Sequence, residues 1–230
     1  MATFDITIYR TEELDGADGE VPLYRARDYL KGTFGNSSNH SVNVDINTST
    51  IWAPQQEVHS GFSSKFPCDG TYYSVDYENL GQWWKDYVDC KLNQTRDADM
   101  LLTDSGPAGI TINKQFIAVG AEAISDCVSY FKDYECGYEY DSMRAVLHEF
   151  GHSLLDVDES VDPSSLSVSN PEHNVGNTVT RSNTTYRTPM GYGAEGNHEN
   201  QCDNSVGSAH TTDCAEYTYS QCADGRFDHY

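Results

Sequence analysis

The spacing of apolar and polar residues predicts alternating strands and helices over the first half of the chain. Apolar and polar residues alternate over residues 4–9 and 42–46, which is the two-residue period of a half-buried strand. Between these strands, the acid-rich residues 14–20 predict a turn and residues 24–31 predict a short helix. Residues 52–75 contain two prolines and two glycines and predict a long irregular connection.

The following segment predicts one amphipathic helix and three strands. Residues 77–92 carry leucine, tryptophan, tyrosine and valine at helical spacing. Residues 98–103 are mostly apolar and predict a buried strand, and residues 109–112 and 116–119 predict two shorter ones. Because strands and helices alternate through residue 119, we expect an α/β or α+β fold, a sheet layered with helices.

A further helix is predicted from Asp141 or Ser142 to Leu155, and either polar residue would make a good N-cap. Its apolar face is wide, so the helix should lie at the centre of the protein. That face comprises Met143, Val146, Leu147, Phe150, Leu154 and Leu155. Residues 158–230 are rich in serine, threonine, asparagine and glycine, which predicts a loop-rich lobe. We expect one domain with an N-terminal sheet-and-helix subdomain (1–157) and a disulfide-stapled C-terminal subdomain (158–230).

Acidic residues outnumber basic ones so strongly that charge restricts the partners. The chain has 36 aspartates and glutamates against 14 lysines and arginines, a formal net charge of −22. Such a surface repels nucleic-acid phosphates and anionic membranes, and no apolar stretch is long enough to span a bilayer. The same composition predicts a halophilic protein, because salt screens the self-repulsion of the compact state.

The seven cysteines predict disulfides and therefore an oxidising, extracellular compartment. None of them forms a close C-x-x-C pair, which argues against a zinc ribbon or a redox motif. The odd number leaves one free thiol, or one cysteine that pairs with a removed segment. Residues 1–10 lack the apolar core of a signal peptide, so an export signal for this secreted protein would lie outside the chain.

The run His148-Glu149-Phe150-Gly151-His152 lies within the predicted central helix. Residues four apart share one helix face, so His148 and His152 can offer two imidazoles to one tetrahedral Zn²⁺. Glu149 lies beside the first histidine, and its carboxylate can take a proton from an attacking water as general base. The motif predicts a monomeric zinc-dependent endopeptidase that acts on protein and peptide substrates.

A catalytic zinc needs a third protein ligand and one open position. If the helix ends soon after Leu154, the chain can turn back and bring Asp158 under the metal. The sequence leaves other residues open for this role. They are Asp156, His173, His198 and a glutamate of a later element such as Glu216.

Around these residues the sequence resembles the metzincin metallopeptidases. Their motif H-E-x-x-H-x-x-G-x-x-H/D aligns with residues 148–158, with Leu155 at the glycine and Asp158 at the third ligand. An aspartate at that place is similar to the small snapalysin-type enzymes. The downstream run Thr188-Pro189-Met190-Gly191-Tyr192 resembles the methionine-containing turn that lies beneath the zinc in this family.

The resemblance implies a twisted, mostly parallel sheet whose antiparallel edge strand binds extended substrate. It implies that residues 97–104 and 109–120 form that strand pair, that Met190 lies under the metal and that Tyr192 acts in catalysis near it. Residues 97–192 carry the match, whereas residues 1–96 fit only in the order of their elements. Leu155 departs from the pattern, which has a glycine at this position. A glycine there permits the left-handed turn that ends the helix.

Other functions fit the same motif. A gluzincin-type peptidase keeps both histidines and the base but takes its third ligand from a later glutamate. An inactive binding or surface protein could keep zinc as a structural ion. In a third alternative, the two histidines bind no metal. The many loop carboxylates also suit Ca²⁺, although no EF-hand pattern occurs.

Overall fold

The computed structural model describes most of the first 155 residues and several shorter segments after them. The described residues are 2–35, 37, 39–68, 74–92, 96–127, 129–132, 134–136, 139–155, 178–181, 184–190, 214–217, 219, 221–224 and 227. Within them the α-helices are Glu12–Asp18 (α1), Val21–Gly35 (α2), Leu80–Lys91 (α3), Glu139–Leu154 (α4) and Gln221–Asp224 (α5). The larger sheet contains Ala2–Thr11 (β1), His40–Ile51 (β2), Ala98–Thr103 (β5), Gly109–Ile112 (β6) and Phe116–Gly120 (β7). The other strands are Phe62–Lys65 (β3), Ser74–Tyr77 (β4), Tyr134–Cys136 (β8), Thr178–Arg181 (β9), Thr184–Arg187 (β10) and Cys214–Glu216 (β11).

The larger sheet has the order β2-β1-β5-β7-β6. Its strands run parallel except for β6, which pairs antiparallel with β7 at one edge. The predicted α+β fold, with a mostly parallel sheet and an antiparallel edge strand, is confirmed. The fully buried strand predicted at residues 98–103 is β5, and all six of its residues are buried.

Helices cover the sheet on both faces. On the first face, α2 and α4 bury their apolar sides against alternate residues of the strands. Those strand residues are Phe4, Ile6, Ile8, Met100, Leu102, Ile117 and Val119. On the second face, α3 packs Leu80, Trp83, Trp84 and Val88 against Tyr9, Leu101, Phe116 and Ala118. The two-residue period of each strand thus separates two cores. We call them the α4 face and the α3 face.

A tight turn joins β6 to β7 and places the edge strand beside α4. Asn113 and Lys114 have φ values of 51° and 58°, and the Gln115 amide donates to the Ile112 carbonyl at 3.2 Å. Asparagine visits this left-handed region readily, whereas a lysine pays a steric cost there. Lys114 Nζ donates to the Leu155 carbonyl at 2.9 Å, so the turn is also tied to the end of the helix.

The sequence-based interpretation was wrong at two places before α3. Residues 14–18 of the acidic segment lie in helix α1, since Thr11 Oγ1 accepts a hydrogen bond from the Leu14 amide and Leu14 is fully buried. A turn is formed only by Gly19 and Glu20, at the end of the predicted range. Residues 52–75 are not irregular throughout, because β3 and β4 form an antiparallel pair. Residues 52–75 have no clear alternation of apolar and polar residues that would predict a strand. The two strands form by pairing with each other.

Helix α4 begins at Glu139, earlier than predicted, so Asp141 and Ser142 lie inside it and are not N-caps. Ser142 is fully buried. Aspartate and serine are common N-caps, but at these two positions they lie within the first turns of the helix. Helix α2 is also longer than the predicted 24–31, because its apolar positions extend to the buried Phe34.

The described C-terminal strands form a second sheet with β8, which precedes α4, in the order β8-β11-β10-β9. Two hydrogen bonds connect the C-terminal segments to the helices. Thr33 Oγ1 of α2 donates to the Tyr217 carbonyl at 2.7 Å, and the Tyr219 hydroxyl donates to the Leu147 carbonyl of α4. A disulfide joins Cys68 to Cys90. In the described part of the chain, no helix has the length and apolarity needed to cross a membrane.

Candidate metal centre

Helix α4 brings the two motif histidines onto one face. The Nε2 atoms of His148 and His152 lie 3.1 Å apart, with the rings nearly perpendicular. Two imidazole nitrogens at 2.0–2.1 Å from one tetrahedral zinc would lie about 3.3 Å apart. The helix therefore presents the two nitrogens at a separation that suits a single metal ion. One ring nitrogen of each histidine and a carboxylate oxygen of Glu149 all lie within 4.8 Å of one another.

A backbone carbonyl selects the tautomer of the first histidine. His148 is 9% exposed, and its Nδ1 lies 2.6 Å from the carbonyl oxygen of Pro189. A carbonyl can only accept, so the Nδ1 atom carries the proton and Nε2 is left with its lone pair. Metal-binding histidines are commonly oriented in this way by a carbonyl or carboxylate on their other nitrogen. Pro189 therefore prepares His148 to act as a ligand through Nε2.

Glu149 is buried against the edge strand β6. Only 6% of the residue is exposed, and the Thr111 hydroxyl lies 2.8 Å from its Oε2 and 2.9 Å from its backbone carbonyl oxygen. A β-carbon built on Gly109 would come within 2.3 Å of Glu149 Cγ and 2.8 Å of Oε1. Gly109 and Thr111 are two residues apart on one strand and thus face the helix together. The strand provides both the space and a hydrogen bond for the carboxylate.

Met190 lies directly beneath the motif. It is fully buried, and a β-carbon built on Gly151 would come within 2.3 Å of its Sδ atom. Gly151 stands between the two histidines on α4, so the turn that carries Met190 can approach the helix only because residue 151 has no side chain. Tyr219 closes the same area, and burial raises the pKa of its hydroxyl well above the ordinary value.

At the end of α4, Leu155 does not adopt the left-handed conformation that a glycine would permit at this position. Within the described residues, the non-glycine residues with positive φ are Asn113 and Lys114, and Leu155 is not among them. Instead, the Leu155 amide continues the helical pattern by donating to the Gly151 carbonyl at 3.0 Å. Leu155 is fully buried and forms an isolated antiparallel bridge with Phe227. Apolar burial and this bridge, and not a glycine, determine how the chain leaves the helix.

Several predicted site residues lie outside the described residues. They are Asp158 and Tyr192, together with the alternative ligands Asp156, His173 and His198. Glu216 lies in β11, whose side chains are not described. The structure thus brings together His148, Glu149 and His152, and the identity of the third ligand stays a prediction.

Three contributors to the site were missed by the sequence analysis. They are Gly109, Thr111 and Pro189. A short strand with glycine and threonine two apart does indicate one strand face, but nothing in the sequence assigns that face to the motif helix. Pro189 was noted within the methionine-containing run, but its carbonyl could not be assigned to a histidine without the packing of the turn.

Comparison with known proteins identifies no family for this chain. No protein-family model matches the chain, and no curated protein matches it in sequence. The three side chains form a group that could hold a metal ion, and they lie on a central helix beside a mostly parallel sheet. Two imidazoles and an adjacent carboxylate are donors that suit zinc and several other divalent transition metals.

Proposed function

We propose that this protein is a zinc-dependent endopeptidase of the metzincin type. The observation that carries the proposal is the approach of the two Nε2 atoms to 3.1 Å, together with a Glu149 carboxylate oxygen within 4.8 Å of a ring nitrogen of each histidine. The hydrogen bond from His148 to Pro189 supports it, because this bond leaves Nε2 available to a metal. His148 and His152 would hold the ion, and we propose Asp158 as the third ligand.

The residues of the site have distinct roles in this reaction. When bound, zinc polarises a scissile carbonyl and lowers the pKa of water. Glu149 takes the proton of the attacking water on its carboxylate and then donates it to the leaving amine. Tyr192 would stabilise the oxyanion from the side of the turn. The burial of Glu149 and His148 excludes bulk water and strengthens these interactions.

Two further features favour the metzincin type among zinc peptidases. Met190 lies beneath the motif helix against Gly151, at the place where the family resemblance expects the methionine-containing turn. The sheet ends in an antiparallel strand, β6, that contacts the helix through Glu149. An extended peptide could pair with such an edge. A structural ion in a protein without activity would not require the carboxylate of Glu149 to lie beside the histidines.

The Cys68–Cys90 disulfide is consistent with an extracellular location, because disulfides persist in oxidising compartments. We therefore propose that the enzyme is secreted. The net charge of −22 supports activity in strong salt, where charge repulsion is screened. We further propose that residues 1–157 and 158–230 act as two subdomains of one catalytic domain.

A hydrolysis assay tests the proposed activity. The purified chain should contain about one zinc by elemental analysis and should cleave casein in molar salt, and a chelator should abolish the cleavage. Glu149→Gln should retain zinc and lower the rate by about 10²- to 10⁴-fold, the usual contribution of a general base. A wild-type protein that binds zinc but cleaves no peptide substrate would refute the endopeptidase proposal.

The third ligand has its own test. Asp158→Ala should lose zinc, with the neighbouring Glu159→Ala as the matched control that keeps it. Full zinc retention in Asp158→Ala would contradict the assignment of Asp158. Loss of zinc in Glu216→Ala, tested in parallel, would then indicate a gluzincin-type site.

A further inference from the structure

The edge strand β6 contacts the general base more closely than any pattern in the sequence indicated. Thr111 Oγ1 lies 2.8 Å from Glu149 Oε2 and 2.9 Å from the Glu149 carbonyl oxygen. The hydroxyl has one proton to donate, so the two acceptors share it in a three-centre hydrogen bond. One side chain of the strand therefore holds both the carboxylate and the backbone of the same residue.

Gly109 completes this arrangement from the same face of the strand. The carboxylate of Glu149 occupies the volume that a side chain at position 109 would fill, with Cγ, Cδ and Oε1 at 2.3, 2.8 and 2.8 Å from the β-carbon position. Oε2 is held by Thr111, and Oε1 lies over Gly109. The two oxygens are thus distinguished by the strand. Rotation of the carboxylate would break the hydrogen bond.

We infer that Thr111 is a positioning residue that holds Glu149 through Oε2 and so leaves Oε1 to exchange the proton with the attacking water. This role rests on the proposed peptidase function. The hydroxyl does not need to touch substrate to act. It restricts the carboxylate to one orientation, which reduces the freedom that the general base must lose before it reacts. A partner of this kind typically contributes about 10- to 100-fold to activity.

The test compares Thr111→Val, which keeps the shape without the hydroxyl, with Thr111→Ser, which keeps the hydroxyl. Lys114→Met is the matched control, because Lys114 binds the same helix at the Leu155 carbonyl, away from Glu149. The full-length zinc-loaded variants are assayed on an internally quenched peptide. Thr111→Val should lower kcat about 10- to 100-fold, with KM and zinc content near those of the wild type. Thr111→Ser should recover most of kcat, and Lys114→Met should lower Tm without a selective loss of kcat.

A double variant separates positioning from a general structural effect. In the Glu149→Gln background, Thr111→Val should lower kcat by less than about twofold, because the group that it orients has already been replaced. Equal kcat losses in Thr111→Val and Thr111→Ser, or an unchanged kcat in Thr111→Val, would overturn the inference while leaving the peptidase proposal intact.

The visible absorption spectrum of the Co²⁺-loaded protein supplies a readout that does not depend on activity. Thr111→Val should change the spectrum and Lys114→Met should not, because Thr111, and not Lys114, holds the carboxylate beside the histidines. If the wild type cleaves no peptide, the peptidase proposal fails, and the spectra still decide whether Thr111 positions Glu149. Identical spectra for wild type and Thr111→Val would then refute the positioning.

Discussion

On the α4 face of the sheet, the buried Glu149 carboxylate accepts a hydrogen bond from Thr111, whereas on the α3 face the buried Asp99 carboxylate has no comparable donor. Asp99 is 1% exposed, and neither of its oxygens has a hydrogen-bond partner of good geometry among the described residues. Hydrogen bonding by the Tyr9 hydroxyl and attraction by the Arg96 guanidinium both lower the pKa of Asp99, but the effect of burial is larger. Burial raises the pKa of Asp99 to about 7.

The two carboxylates are both buried and differ in the groups that surround them. Glu149 has a defined orientation, a strand that receives it and two histidines beside it. Asp99 faces Tyr9 and lies on the same strand face as Leu101, within an aromatic core that also contains Trp84. A buried carboxylate whose hydrogen bonds do not offset its burial costs stability when it ionises. The buried carboxylate of the α4 face therefore belongs to a group that could hold a metal ion, whereas that of the α3 face makes stability depend on pH.

The largest expected effect comes from removing the Asp99 charge. The pKa of Asp99 rises from its ordinary 3.8 to about 7 on folding. Its contribution to the free energy of unfolding is thus complete below pH 3.8 and is lost as pH rises through 7. At 1.36 kcal/mol per pKa unit, the loss is about 4 kcal/mol. Urea unfolding of wild type and Asp99→Asn at pH 4 and pH 8 should show this loss in the wild type only.

The difference between the two proteins is the relevant quantity, because the other carboxylates titrate in both. We expect the stability of Asp99→Asn relative to the wild type to be higher at pH 8 than at pH 4. Parallel stability curves for the two proteins would contradict the raised pKa. Peptide hydrolysis at a fixed pH should be unaffected, since Asp99 lies on the face opposite the histidines.

The next effect concerns the turn beneath the motif. Met190 is fully buried against Gly151, so Met190→Ala should lower the free energy of unfolding by about 2–5 kcal/mol, the usual cost of a large cavity. Met190→Leu conserves most of the volume and should cost less than about 1.5 kcal/mol. Denaturant unfolding measures both. A Met190→Ala variant as stable as the wild type would show that this turn does not support the helix.

A pair of glycines compares the two faces at one strand. A β-carbon at Gly109 would meet Glu149 Cγ at 2.3 Å, and one at Gly81 would meet the side-chain ends of Ile110 and Ile112 at 2.8 and 2.9 Å. Gly109→Ala and Gly81→Ala should each destabilise by about 1–3 kcal/mol through overpacking. Only Gly109→Ala should also reduce peptide hydrolysis, by about tenfold or more. Equal hydrolysis by both variants would remove the distinction between the faces.

The prediction from sequence succeeded where local period and burial agree. Strand β5 is buried on both faces, and its apolar run was assigned with the observed bounds. Helix α3 has a wide apolar side and was assigned to within a few residues. The acidic segment of α1 was misassigned because its only apolar anchor is Leu14, which becomes buried through tertiary packing. Acidic side chains in the first turn favour a helix start but cannot establish a helix without that contact.

The sequence by itself determined the part of the candidate site that helix geometry dictates. Because an α-helix turns once in 3.6 residues, His148 and His152 had to share a face with Glu149 beside them. Only the tertiary structure decided what these side chains meet. Thr111 is 38 residues from Glu149 and Pro189 is 41 residues from His148. Such contacts depend on how a strand and a turn pack against the helix, and local periodicity carries no information about that packing.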